Sequence, residues 1–296
     1  MKGRTIAQRL EALGHALFYL ALLLGGQRGG YLLLVPGVFV YAGASGAIHR
    51  RMAPYLGRRF PGQGRGRRFL AGYKNLLAFG QILVDRGWLG IKSRAAMTGT
   101  TPGYEVLEDL LAQGKGVVLI TAHVGNWQTA LAHLGKLSRP VHALMRYDQG
   151  AAAKHYFDVG GKQRHFAIID AEGPFGGMVE EAAALARGEV VTIMGDRYIK
   201  GSFSRVQFLG SEVRLPDSAY VLASCAQAPV VIMLSAKTGR RRYELKIWDV
   251  LSPEYRSRDE RSAMTQACAR RFARVLEKYL KQYPYQWYNF FDFWKQ

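Results

Sequence analysis

A chain of 296 residues that is 49% hydrophobic and 12% aromatic has enough apolar material for a sizeable core, which excludes a disordered polyelectrolyte. Lys and Arg number 41 against 22 Asp and Glu, and the resulting net charge of +19 calls for an anionic partner such as a membrane surface, an acidic protein or nucleic acid. Cys225 and Cys268 lie far apart in apolar or helical patterns with no CxxC, so both are expected to be buried and reduced.

Ile6, Leu10, Leu13, Leu17, Leu20 and Leu24 recur at helical spacing, predicting a helix over residues 5–24 that is apolar nearly all round from Ala16. "GGQRGG" breaks it, and a second apolar stretch follows from Tyr31 with Pro36 and Gly37 inside. Neither stretch reaches the roughly 20 uninterrupted apolar residues that a simple bilayer crossing needs. No acidic residue occurs between Glu11 and Asp85, whereas Arg50, Arg51, Arg58, Arg59, Arg65, Arg67 and Arg68 all fall there. Two apolar segments joined by a Gly-rich turn, with arginines behind them, predict a hairpin lying in one leaflet and an anionic membrane surface as partner. Each arginine contributes about 1 kcal/mol near such a surface. A pair of core helices covering the main domain is the competing reading. The arginines are accompanied by no RNP, KH or helix-turn-helix pattern, so no nucleic-acid partner is expected.

From about residue 104 short β-branched runs alternate with helical stretches. Strands are predicted over 116–122, 141–146, 166–169, 190–195 and 229–234, and helices over 125–137, 151–160, 176–188 and 216–227. A long amphipathic helix over Ser257–Gln282 follows, with Ser257 and Glu260 at capping-box spacing. The fold class is therefore α/β: a mostly parallel central sheet with helices on both faces, an N-terminal apolar helical anchor and a long C-terminal helix. The expected division is 1–50 membrane-associating helices, 51–103 a basic helical connection and 104–296 the catalytic domain. The tail "YPYQWYNFFDFWKQ" is too aromatic for a free terminus, and either packs on the body or sits at a membrane interface.

Ligands of open α/β sheets bind beyond the carboxyl ends of strands, which is where "ITAHVGNWQ" places His123. A helix starting near Asn126 would aim amides and a positive dipole end into the same space. A second strand ends in "MGDRYIKGSFSRVQFLG", where Asp196 and Arg197 form either a structural ion pair or an anion-binding group, with Ser202, Ser204 and Arg205 as further polar side chains. There is no GxSxG elbow for a serine hydrolase, and no HExxH or histidine pair for a metal, so no metal or cofactor is expected.

Taken in order, "TAHVGNWQ", "MGDRYIKGSFSRVQFLG", "LP", "APVV" and "PYQWYNFFDFW" resemble the bacterial lipid A biosynthesis acyltransferase family, relatives of the glycerol-phosphate acyltransferases. The resemblance implies an enzyme of the bacterial inner membrane, and the arginines mark the cytoplasmic face as its side. It would move a fatty acyl group from a thioester of acyl carrier protein or coenzyme A to a hydroxyl of a glycolipid. It also implies a His-x4-Asp/Glu pair, with His123 as general base and Asp196 and Arg197 as a second active-site motif. Position 128 holds Gln where the pattern has a carboxylate; Gln128 can orient an imidazole but cannot offset its charge. The candidate catalytic residues are His123, Gln128 and Asp196, and the candidate substrate contacts are Asn126, Trp127, Arg197 and Arg205. A lipid-binding or assembly protein of the same fold that has lost turnover is the alternative.

Overall fold

The computed structural model describes residues 6–91, 97–127, 137–146 and 166–295. It begins with α1 (Ile6–Ala44), α2 (Gly46–Arg59) and α3 (Arg65–Ile91), then β1 (Thr98–Thr100), α4 (Tyr104–Ala112), β2 (Val117–Thr121), β3 (Val141–Met145) and β4 (Ala167–Asp170). The second half comprises α5 (Met178–Ala186), β5 (Val190–Met194), β6 (Phe203–Phe208), β7 (Ser211–Pro216), α6 (Ser218–Cys225), β8 (Val230–Lys237), β9 (Arg242–Leu251) and α7 (Arg258–Gln282).

The main sheet has the strand order β1-β9-β8-β2-β5-β3-β4, parallel throughout except where β9 runs against β8. Period-two alternation divides its side chains between two cores. Val118, Ile120, Val191, Ile193, Val230, Ile232 and Leu234 face α6, α7 and the aromatic tail. Val117, Leu119, Val141, Val190, Val231 and Met233 face Leu107 and Leu111 of α4. Helices thus cover both faces, as the buried, β-branched strands require.

The five predicted strands are β2, β3, β4, β5 and β8; the sequence reading lacked β1, β9 and the β6–β7 hairpin. That hairpin alternates buried and exposed residues on both sides of Leu209-Gly210, both at positive φ (50° and 77°). Leucine is an unusual occupant of such a turn, which hid it; the Glu277 carboxylate accepts from its N–H at 2.6 Å and helps hold it there. The helix expected over 151–160 lies outside the described residues, as does most of that over 125–137. The long C-terminal helix is present as α7, and the Ser257 hydroxyl caps it by accepting from Glu260 N. Cys268 is buried as expected, but Cys225, in the last turn of α6, is exposed.

The break in the N-terminal apolar region is a sharp bend of α1 at Gly26 (φ 58°, ψ −154°), beneath the Trp88 ring. The bend brings Gly30 back against Leu22, and the second half of α1 lies along α3, where a Cβ on Gly80 would come within 2.6 Å of Leu34. Beyond that contact the hairpin leaves Leu20, Leu23, Leu24, Leu32, Phe39, Val40 and Tyr41 exposed. The bend itself is pinned to the body. Asp85 of α3, fully buried, accepts from Gln27 Nε2 and the Tyr31 hydroxyl (both 2.6 Å), from the Tyr243 hydroxyl and from Lys237 Nζ at the end of β8.

The basic segment divides in two. Arg50, Arg51, Arg65, Arg67 and Arg68 are exposed. Arg58 stacks on Trp294 (4.2 Å to the ring centroid) and donates to Ser211 Oγ, and Arg59 donates to Leu280 O at 3.0 Å, so these two tie α2 to the body. The aromatic tail packs on the body: Trp287, Tyr288 and Phe293 are buried.

Candidate active site

β2 ends at Thr121 and β5, beside it, at Met194, so their carboxyl ends deliver His123 and Asp196 to one place. Close approach is allowed by Gly195, where a Cβ would stand 2.6 Å from Ile120 Cγ2. Asp196 Oδ1 lies 2.8 Å from His123 Nδ1; Oδ2 accepts from His123 N (3.0 Å) and from Trp287 Nε1 (2.9 Å). The carboxylate is 1% exposed and the histidine side chain 23%. Burial pushes the Asp196 carboxyl up, but the His123 ring and the indole and backbone N–H donors outweigh it and hold the pKa at about 2. An ionised carboxylate only accepts, so Nδ1 carries the imidazole hydrogen and Nε2 keeps its lone pair for a proton from a reacting group.

The turn carrying His123 is held from two sides. Tyr288 N donates to His123 O (2.9 Å) and Gly125 N to Gln286 O (3.0 Å), forming a short antiparallel bridge between Val124 and Trp287. On the other side, Asn126 N donates to Ser235 Oγ of β8 at 3.2 Å. The amides of Gly125 and Asn126 are engaged by the protein itself, so they are not free to hold an oxyanion.

Arg197 has donors to spare. Its guanidinium lies over Phe291 (5.2 Å to the centroid) and gives one long bond to Tyr288 O (3.4 Å), while its buried Nε has no hydrogen-bond partner among the described residues. Asn126 is buried in the turn, and Trp127 is half-buried against the α4 core. Arg205 lies on the β6–β7 hairpin, ion-paired with Glu212 at 2.9 Å, its carbonyl bonded by Gln266 of α7. Ser204 is a structural hydroxyl, donating to Asp217 at 2.7 Å. Position 128 lies outside the described residues. Sequence reasoning missed Trp287 and Ser235. The tail's aromatic density pointed to packing, and nothing local reveals that one indole N–H reaches a carboxylate.

Residues 74–296 match the family described as bacterial lipid A biosynthesis acyltransferase. The chain belongs to that family. It is thereby an acyltransferase of lipid biosynthesis, and the mostly parallel α/β sheet is the architecture on which its site is built. No curated protein matches the sequence. Among solved structures, the 1-acyl-sn-glycerophosphate acyltransferase PlsC from Thermotoga maritima is similar at 13% identity and a TM-score of 0.35, over 83% of this chain and 97% of that one.

Among the described glycines, Gly125 leaves the least room for a side chain. Its φ is +51°, and a Cβ would stand 2.1 Å from Ser235 O, a main-chain atom of a central strand. Gly125→Ala is expected to displace His123 on the order of 1 Å and to cost about a hundredfold in turnover. Steady-state transfer measured on the folded variant checks this, and an activity within twofold of wild type contradicts it.

Proposed function

We propose that the enzyme moves a fatty acyl group from the thioester of acyl carrier protein or coenzyme A to a hydroxyl of a lipid A-like glycolipid, at the cytoplasmic face of the bacterial inner membrane. The observation that carries this reading is the buried Asp196 against His123 Nδ1, in a chain of this family. His123 Nε2 takes the acceptor's hydroxyl proton as its oxygen attacks the thioester carbonyl. The tetrahedral adduct then collapses, the C–S bond breaks, and the imidazolium returns the proton to the departing thiolate. Asp196 keeps the hydrogen on Nδ1 and offsets the imidazolium charge, the work a residue at 128 would otherwise do. Arg197, next in the chain to Asp196, offers its guanidinium to an anionic group of the substrate or the developing oxyanion.

Membrane attachment rests on the uncovered apolar side of α1 together with the exposed arginines of α2 and α3. The stretch Leu17–Ala44 is long and apolar enough to cross a bilayer, but the bend at Gly26 falls within it, which suits a hairpin in one leaflet. The test incubates membranes containing the enzyme with radiolabelled acyl-acyl carrier protein, or with acyl-CoA, and a total bacterial lipid extract. The expected result is label in an ester-linked glycolipid, absent with His123→Ala. Tight acyl-chain binding with no labelled product would favour the lipid-binding alternative.

A further inference from the structure

We propose that Trp287 is a positioning residue of the transfer reaction, acting through Asp196; the inference rests on the acyl-transfer reading above. Among the described residues, three donors reach the Asp196 carboxylate, and they divide the labour. Oδ1 faces the His123 ring, while Oδ2 is held by His123 N and by the Trp287 indole. The backbone donor alone leaves the carboxylate able to turn about its last torsion. The indole supplies a second fixed point and so sets the plane that the imidazole must match.

The indole is closely enclosed. It is fully buried, with edge-on contacts to Tyr55, Phe293 and Phe208 at centroid distances of 4.9, 5.1 and 5.5 Å. Its backbone is clamped as well: Asn75 Nδ2 donates to the carbonyls of Tyr285 and Trp287 (3.1 Å each), and the Gln286 amide exchanges two 2.8 Å hydrogen bonds with the main chain of Lys237. The segment that supplies the indole is also the one that bridges the His123 turn. The C-terminal strap therefore fixes both members of the dyad, one through its backbone and the other through a side chain. A tryptophan kept only for its volume would be equally well served by any N–H acceptor, such as a carbonyl; this N–H is spent on the carboxylate that orients the base.

The experiment separates the N–H from the volume. At position 287, β-(3-benzothienyl)alanine, with sulfur in place of the N–H, and 4-fluorotryptophan, which keeps the N–H, are incorporated site-specifically, and Trp287→Phe is made alongside. With labelled acyl-acyl carrier protein and the lipid extract, the sulfur analogue is expected to lower kcat about ten- to a hundredfold at unchanged KM for the donor, with only the modest fall in melting temperature that one lost hydrogen bond brings, and the fluorinated analogue to retain wild-type kcat. Wild-type kcat in the sulfur analogue, beside an inactive His123→Ala, overturns the proposal for Trp287 and leaves the acyl-transfer reading standing. An equal loss of kcat and melting temperature in the sulfur and the fluorinated analogues also overturns it, by showing a packing role. Full activity of His123→Ala overturns the proposal and the underlying reading together. If Trp287→Phe fails to fold, the two analogues decide.

Discussion

Asp196→Asn is expected to lower acyl transfer by about ten-thousandfold with the fold intact, the scale seen when the orienting aspartate of a serine-protease triad is replaced by its amide. The reason lies in the donors already in place. His123 N and Trp287 Nε1 both point at the Oδ2 position, so an asparagine must set its carbonyl oxygen there and its NH2 toward His123 Nδ1. The ring is then obliged to accept at Nδ1 and to carry its hydrogen on Nε2, where the base is needed. His123→Ala loses the base outright, on the order of a hundred- to ten-thousandfold. Gln128→Glu is expected to change the rate by less than about tenfold, because Nδ1 already has its carboxylate. A rise of several thousandfold would instead make residue 128 the true partner.

Acid unfolding gives the same substitution an independent readout. The Asp196 pKa is about 2 in the folded protein against an ordinary value of 3.8, so the unfolded chain binds the proton first as pH falls. The stabilisation is therefore complete above about pH 4 and is lost as the pH drops through about 2, and its size is roughly 2 kcal/mol. Asp196→Asn should flatten the stability profile across that window. A profile that keeps its wild-type slope there would mean that Asp196 is not the ionised, bonded group.

Asp85→Ala is expected to destabilise the protein by about 3–5 kcal/mol, because it strands Lys237, whose side chain is only 9% exposed, without its carboxylate. It also frees Gln27 and Tyr31 at the bend of α1 and the Tyr243 hydroxyl on β9. Burial already lowers the Lys237 pKa, against the pull of Asp85. With the carboxylate gone it falls further, the unfolded chain holds more protons, and the deficit shrinks as pH rises toward about 10. Asp85→Leu combined with Lys237→Met should recover the part of the loss that comes from the stranded lysine charge. Urea unfolding in detergent, followed by tryptophan fluorescence at two pH values, checks both statements. A loss below about 1 kcal/mol would show that the cluster is solvated. Removal of residues 1–50 takes away Gln27 and Tyr31 as well, so truncation should reduce stability in addition to weakening membrane attachment.

The sequence by itself determined the class of the fold and the address of the chemistry. Short, continuous apolar runs rich in β-branched residues marked what became β2, β3, β4, β5 and β8, and a histidine straight after one such run stands at a carboxyl end wherever that strand lies in the sheet. The capped helix α7, the glycine-marked break in the N-terminal apolar region and the motifs that place the chain in its family were equally local, since each depends only on neighbouring residues. Tertiary structure decided the partnerships. His123 and Asp196 meet because β2 and β5 are adjacent in a strand order that no local pattern encodes. Trp287 reaches the same carboxylate only because the tail folds back as a strap, and Gln27, which reads as part of a loose turn, is buried because Asp85, far along the chain, needs its amide. Arg205, grouped by sequence with Asp196 and Arg197, is ion-paired with Glu212 across a hairpin whose Leu-Gly turn gave no conventional signal. Spacing specifies which residue types are available, but a hydrogen bond requires two backbones to converge, and that convergence is a property of the packed sheet.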